Sequence, residues 1–332
     1  VIALLSPGAD AELVRGELAR LGLWGSLERS SDGTSSMFVI AAHSAKCDPQ
    51  DIRNIRGVQS VSFAASPHPR LDAQRSIIDV AGIRFGGDKP VLIAGPCSVE
   101  SESRIRKIAE AVAAAGGSFL RGGAFKPRTS PYAFDGHGAP ALSWLRSAAD
   151  ACGLRVVTEV MSENDVAIVS EHADLLQVGS RNMQNYALLR AIGKSKHPVL
   201  LKRAMSATIE EWLSSAEHLL VHGAASVILC ERGVKGFDVA MRNFIDLGAV
   251  ALLAGAYRIP VIVDPSHATG RRDVILPLAR AAIAAGASGL CIEAHDDPSA
   301  ALSDGPQALA LEDLAPLSRS ITSVWNVTRG AA

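Results

Sequence analysis

Four side chains that lie far apart in the chain, Cys97, His267, Glu293 and Asp304, offer one thiolate, one imidazole and two carboxylates. A mixed sulfur, nitrogen and oxygen donor set suits a borderline divalent transition ion, because Mg²⁺ and Ca²⁺ prefer shells of oxygen alone. The spacing is too wide for a local finger, so these residues make a site only if a fold gathers them. Singly, each has a plainer reading. Cys97 reads as a buried cysteine, and Asp304, within Ser303-Asp304-Gly305-Pro306, as a turn former or helix cap. A second set is cationic: Arg121, Lys126, Arg128, Arg181, Lys202, Arg203 and Arg232. Brought together these groups repel unless an anion neutralises them, and a guanidinium offers bidentate hydrogen bonds to phosphate and carboxylate. The ligand they predict is small, multiply anionic and phosphorylated. The alternative is pairing with acidic neighbours, above all for Arg203.

The elements that must position these residues follow from hydrophobic pattern. From Pro90 onward, short apolar runs alternate with amphipathic stretches. The runs are Val91–Ala94, Ser118–Arg121, Val156–Glu159, Leu175–Gly179, Val199–Lys202, Val227–Cys230, Val261–Asp264 and Leu290–Glu293. Between them, Glu102–Ala115, Leu142–Ala151, Ile209–His222 and Val274–Ala285 repeat apolar residues at helical spacing. Eight such units, with no GxGxxG or GxxxxGK[ST] loop, predict a (β/α)₈ TIM barrel (90–332) rather than an open doubly wound sheet. In a barrel the loops after the strands build the active site, and every candidate above except Asp304 lies at or just beyond a strand end. Asp304 falls in the last loop.

Residues 1–64 read differently. Strands at Val1–Leu5, Ser26–Ser30, Met37–Ala41 and Val58–Ala64, with helices at Ala11–Leu21 and Pro49–Ile55, give the order βαββαβ, a small ferredoxin-like domain. A linker carrying Pro67 and Pro69 follows, and Ile77–Phe85 reads as a capping hairpin, so that 65–89 joins the two domains. A net charge of −1 excludes a global field for nucleic acid or anionic membrane. Five widely spaced cysteines in a chain of this size fit a reducing cytoplasm, and no apolar run is long enough for a signal peptide or membrane span.

Longer motifs run through the same strand ends: Gly95-Pro96-Cys97-Ser98, Leu120-Arg121-Gly122-Gly123-Ala124-Phe125-Lys126-Pro127-Arg128-Thr129-Ser130-Pro131, Gly179-Ser180-Arg181-Asn182-Met183-Gln184-Asn185, Leu200-Leu201-Lys202-Arg203, Cys230-Glu231-Arg232-Gly233 and Asp264-Pro265-Ser266-His267. From about residue 66 to the C-terminus the chain resembles the 3-deoxy-D-arabino-heptulosonate 7-phosphate (DAHP) synthases, in the subgroup related to the 3-deoxy-D-manno-octulosonate 8-phosphate (KDO8P) synthases. The resemblance implies a metal-dependent condensation of phosphoenolpyruvate with erythrose 4-phosphate, the first step of the shikimate pathway. It implies a divalent metal on Cys97, His267, Glu293 and Asp304, with Mn²⁺ expected first and Fe²⁺, Co²⁺ or Zn²⁺ as alternatives. Phosphoenolpyruvate would be held by Arg121, Lys126, Arg181, Lys202 and Arg232, with Asp264 also at the substrate. Lys126-Pro127-Arg128-Thr129-Ser130 would receive the sugar phosphate, Pro127 and Thr129 favouring the four-carbon aldehyde. Lys126 and Glu159 are the candidates to position or deprotonate the attacking water.

The first domain resembles the extension of some DAHP synthases, which implies feedback control by phenylalanine or tyrosine; two such domains could trap the amino acid between subunits, so a homo-oligomer, a tetramer, is expected. Its alternative is an assembly element. Three competing functions stand beside the main one: a KDO8P synthase taking arabinose 5-phosphate, a Schiff-base aldolase on a Lys202 of depressed pKa, and a non-catalytic amino-acid sensor.

Overall fold

The computed structural model describes residues 1–30, 34–40, 47–62, 66–125, 132 and 134–329. They divide into two compact units, Val1–Pro67 and His68–Ala332. In the first, β1 (Ile2–Leu5), β2 (Gly25–Arg29), β3 (Ser36–Ile40) and β4 (Val58–Ser62) form an antiparallel sheet in the order β2-β3-β1-β4. Helices Ala11–Arg20 and Pro49–Arg53 complete the ferredoxin-like βαββαβ. Asp10 starts the first helix by accepting the N–H groups of Glu12 and Leu13, and Asp48 starts the second through a capping box with Asp51. Alternate strand residues Ala3, Leu5, Phe38 and Ile40 meet Val14, Leu18 and Ile52 from the helices in one small core.

The stretch read as a linker holds structure of its own. Pro69–Asp72 is a helix, with proline at its first position, where no N–H partner is needed. The N–H groups of Arg70 and Leu71 donate to the Glu217 carboxylate at 2.9 and 2.8 Å, tying this turn to the helix Ile209–Val221 of the second unit. The expected hairpin follows as β5 (Ile78–Val80) and β6 (Ile83–Phe85), antiparallel.

Eight parallel strands then close into a barrel: β7 (Val91–Gly95), β8 (Phe119–Arg121), β9 (Arg155–Glu159), β10 (Leu175–Val178), β11 (Pro198–Lys202), β12 (Ser226–Glu231), β13 (Val261–Val263) and β14 (Gly289–His295). Each pairs with its neighbour in sequence, and β14 pairs back onto β7. A helix follows every strand, from Glu102–Ala114 after β7 to Leu314–Arg329 after β14. Two buried layers result. The outer one packs strands against helices. The inner one stacks Ile93, Phe119, Leu200 and Ile262 inside the barrel, and Ile78, Val80 and Phe85 of the hairpin join it, so the hairpin stoppers the end where the strands begin. Chemistry is left to the other end. Among the described residues no helix is long and apolar enough to cross a membrane.

Candidate active site

The barrel gathers the four dispersed ligand candidates. One donor atom from each of Cys97, His267, Glu293 and Asp304 lies within 4.8 Å of all the others. Cys97 Sγ is 2.9 Å from Asp304 Oδ2 and 3.9 Å from His267 Nε2, and His267 Nε2 is 3.5 Å from Glu293 Oε2. Cys97 sits beyond β7, where Gly95 takes φ +147° and a Cβ would lie 2.1 Å from the Arg121 carbonyl oxygen; glycine lets the first two strand ends approach. His267 is on the short helix Pro265–Thr269, capped by Asp264 Oδ1, which accepts the His267 N–H at 2.9 Å.

This donor set fits a transition ion on grounds of its own. The second Asp264 oxygen is 2.8 Å from His267 Nδ1, so the ring turns Nε2 toward the thiol and carboxylates, the carboxylate–histidine arrangement that supports a metal-bound imidazole. Burial, aided by the charges of Lys202 and Arg121 and opposed by Asp264, lowers the His267 pKa to about 3, which keeps the ring in its ligating neutral form. Gln307 Nε2 donates to Glu293 Oε2 at 2.6 Å. Asp304 has φ +55°, uncommon for a residue other than glycine. It precedes the short helix Gly305–Gln307 without capping it, and its side chain is directed into the cluster instead.

Next to these ligands lies a cavity of about 320 Å³, whose wall includes Arg121, Arg181, Lys202, Arg232, His267 and Asp304. Arg121 and Arg232 are 4% and 8% exposed, yet Nη1 of each has no hydrogen-bond partner among the described residues. Burial lowers the Arg232 pKa, outweighing Asp264, and nearby Arg242 and Arg181 add to the fall. Burial opposes the charge on Arg121 too, but Glu293 and Asp264 are among the groups that hold its pKa above the ordinary value. Buried guanidinium donors without acceptors, one of them, Arg232, crowded by like charge, suit an anion site.

Partners in space decide three readings that the sequence left to the fold. Lys202 donates to Asp264 Oδ2, and this partner outweighs burial, raising the lysine pKa above its ordinary value. The depressed pKa on which a Schiff-base Lys202 depends is therefore absent. Asp264 is fully buried, its oxygens engaged by Lys202 and His267, so it holds two site residues rather than facing the cavity. Arg203 is turned from the cavity into ion pairs with Glu231 at 3.1 Å and Asp246 at 2.9 Å. Glu159 does line the cavity; Gln177 Nε2 donates to it at 3.1 Å, and a Cβ on Gly179 would fall on its carboxylate. Lys126, Pro127, Arg128, Thr129 and Ser130 lie outside the described residues.

Sequence reading passed over Gln177, Arg242 and Gln307. The two amides carry no charge to attract notice, although Gln177 interrupts the apolar run of β10 and is 5% exposed, a usable signal. Arg242 lies in a long loop with no pattern, and its Nη1 comes within 3.7 Å of Asp304 Oδ1. A wider groove of about 640 Å³, against Leu276, Leu309 and Leu317, carries only the exposed Arg271–Asp273 pair and neighbouring surface charges; the convergent buried groups are in the smaller cavity.

Residues 68–327 match the model of the DAHP synthetase I family. A phospho-2-dehydro-3-deoxyheptonate aldolase of Thermotoga maritima is 48% identical over 259 residues, 77% of this chain and 77% of the relative. A 2-dehydro-3-deoxyphosphooctonate aldolase of Acidithiobacillus ferrooxidans is 32% identical over 270 residues, 75% of this chain and 95% of the relative. The crystal structure of a Thermotoga maritima phospho-2-dehydro-3-deoxyheptonate aldolase (DAHP synthase) superposes with a TM-score of 0.77 at 38% identity, covering 98% of this chain and 97% of that one. With the barrel, the gathered ligands and a match over residues 68–327, the chain belongs to the DAHP synthetase I family of enzymes.

Proposed function

We propose that the chain joins phosphoenolpyruvate to erythrose 4-phosphate, with water, to give DAHP and inorganic phosphate, the entry step to the shikimate pathway. The observation that carries this reading is the convergence of Arg121, Arg181, Lys202 and Arg232 on one cavity beside His267 and Asp304, with Nη1 of Arg121 and of Arg232 lacking hydrogen-bond partners among the described residues. Phosphoenolpyruvate brings the two anionic groups such donors need. Pro127 and Thr129, and 48% identity to a heptonate aldolase against 32% to an octonate aldolase, favour the four-carbon aldehyde.

A divalent ion on Cys97, His267, Glu293 and Asp304 would supply Lewis-acid polarisation of the aldehyde oxygen. The chain's own groups do the rest. Arg121, Lys202 and Arg232, with Arg181, hold the carboxylate and phosphate and spread the charge that gathers on the leaving phosphate. C3 of the enol phosphate bonds to the aldehyde carbon, leaving C2 electron-poor. Water adds at C2 and Glu159 accepts one of its protons, with Lys126 the other candidate at this step. The second water proton leaves as the bond from C2 to the phosphate oxygen breaks and the ketone forms. One proton ends on the new hydroxyl at the former aldehyde carbon and one on inorganic phosphate. Turnover measured with erythrose 4-phosphate and with arabinose 5-phosphate, before and after chelation, tests the whole reading. Activity on the first aldehyde that chelation abolishes is expected; activity on arabinose 5-phosphate alone, or activity indifferent to chelator, overturns it.

For the first unit we propose feedback control: phenylalanine or tyrosine bound between subunits of a tetramer and coupled to the mouth by about 1–3 kcal/mol, enough for about 5- to 150-fold inhibition. A chain beginning at Ser66 keeps the Pro69–Asp72 helix, whose N–H groups Glu217 accepts. It should stay active and lose the response. Equal inhibition of full-length and shortened chains, or of neither, reduces the unit to an assembly element.

A further inference from the structure

Of the four ligand candidates, Asp304 lies farthest along the chain from a barrel strand: it is in the loop beyond β14, with a left-handed backbone that an aspartate adopts at a cost. Left to itself such a loop would offer the carboxylate in many directions, and each lost degree of freedom would weaken ion binding. The residues around it remove that freedom. Ser303 Oγ is 2.9 Å from Ser98 Oγ, a buried hydroxyl pair joining this loop to the turn that carries Cys97. On the far side of Ser303, the Leu302 N–H donates to Glu100 Oε1 at 2.7 Å.

Glu100 is the centre of that second tie. Its side chain is only 7% exposed, and Arg104 Nη1, one helical turn on, donates to Oε2 at 2.7 Å. His295, at the end of β14, is 3% exposed and points Nε2 at Glu100 Oε1, 3.4 Å away. The Asp297 N–H donates to His295 Nδ1 at 3.0 Å, which places the ring proton of the neutral tautomer on Nε2, facing the carboxylate. Arg104 Nη1 also approaches that Nε2, at 3.4 Å, so guanidinium, imidazole and the Glu100 carboxylate form one buried cluster. One carboxylate thus receives the chain after Cys97, the strand end after Glu293 and the loop before Asp304.

We propose that Glu100 is a positioning residue for the metal centre: it locks the Asp304 loop against the segments bearing Cys97 and Glu293, so that the fourth ligand is preorganised before an ion arrives. This rests on the metal assignment above. A carboxylate in this place is explained neither by substrate binding, since Glu100 does not line the cavity, nor by helix capping, since Ser101 caps Glu102–Ala114. The role is that of an outer partner whose loss weakens the ion without removing a ligand.

The test is a titration of metal-free wild type, Glu100→Ala, Glu100→Gln and Ser303→Ala with Co²⁺ against a competing chelator, following the thiolate-to-cobalt absorption band, beside thermal unfolding of each metal-free protein. In the wild type the band itself reports whether Cys97 binds an ion at all; its absence there refutes the metal assignment, not this inference. Given that band, Glu100→Ala should bind Co²⁺ about 10- to 100-fold more weakly with the band retained at saturation. Glu100→Gln, whose amide oxygen still accepts from Leu302, should recover much of the loss, and Ser303→Ala should fall in between. Wild-type affinity in Glu100→Ala overturns the proposal. So does weakening in Glu100→Ala and Glu100→Gln alike that tracks a drop in metal-free stability; should Glu100→Ala not fold, undiminished affinity in Ser303→Ala overturns it as well.

Discussion

The two halves of the barrel mouth are built on opposite plans. Around Cys97, His267, Glu293 and Asp304, neighbouring groups hold the ligands in place: Asp264 behind His267, Gln307 on Glu293, and the Ser98–Ser303 pair beside Asp304. Across the cavity, Arg121 and Arg232 each keep a buried nitrogen without a partner among the described residues, while Arg203, two positions on from strand residue Leu201, is consumed by Glu231 and Asp246. The first half gathers its four donors within 4.8 Å of one another, as a small cation requires. The second leaves guanidinium nitrogens unsatisfied, so that binding an anion would offset their desolvation and, at Arg232, the repulsion from Arg181 and Arg242. Supporting contacts behind the ligands, set against unpartnered guanidinium nitrogens on the cationic side, thus distinguish a cation half from an anion half within one cavity, where residue types alone would only have shown a mixture of charge.

The contrast is sharpest if each half can be damaged alone. Cys97→Ser replaces a soft thiolate by a neutral hydroxyl and should weaken metal affinity more than about 100-fold, beyond the range of outer partners. Affinity near wild type in equilibrium dialysis would dissolve the ligand half. Arg121→Ala and Arg232→Ala should each cut kcat/KM for phosphoenolpyruvate by about 30- to 1000-fold, the range for truncating a buried charged contact, with metal affinity unchanged. Steady-state kinetics in which only the aldehyde KM moved would break the division of the cavity. Gln307→Leu, which keeps the volume and removes the donor to Glu293, should weaken the ion by about 10-fold and leave the phosphoenolpyruvate KM alone.

The smallest effect is one of pH on the metal-free protein. Folded His267 has a pKa of about 3, whereas the unfolded imidazole titrates near about 6.5. Below that value the unfolded chain takes up a proton that the folded one refuses. Stability from this group is therefore complete above about pH 6.5 and declines as the pH falls toward 3, by about 2 kcal/mol at pH 5. Denaturant titrations of wild type and His267→Gln between pH 5 and 7.5 check the sign: the wild type should lose stability over this range and the variant should lose less.

The barrel was legible because each strand is a short apolar run between helices of regular period, and observed strands such as Pro198–Lys202 differ from the expected Val199–Lys202 by a residue or so. Ligands at strand ends were legible for the same reason: given the barrel, the ends of β7, β13 and β14 must meet. What escaped was short or uncharged. Pro69–Asp72 is too brief for a period to appear, and its two prolines in the neighbourhood, Pro67 and Pro69, argue for a linker until Glu217 is seen to accept its N–H groups. The fate of each cation depended on its partner in space. Lys202 meets Asp264 from the loop two strands away, and no local spacing announces that a desolvated lysine will be held charged rather than neutral.

The hairpin beneath the barrel has a kinetic meaning. With Phe85 packed against Phe119 at a centroid distance of 5.7 Å, the strand-start end is shut among the described residues, which leaves the strand-end mouth as the neck. A vessel with one neck fills from the bottom. The reactant that must reach the buried Arg121 and Lys202 has to enter before the one that rests nearer the rim, since a molecule already seated in the neck blocks the way down. Leaving reverses the sequence. On the proposed reaction, the larger product would vacate the neck first and phosphate released at depth would wait behind it, so the closed floor would convert a choice of two bound reactants into a queue.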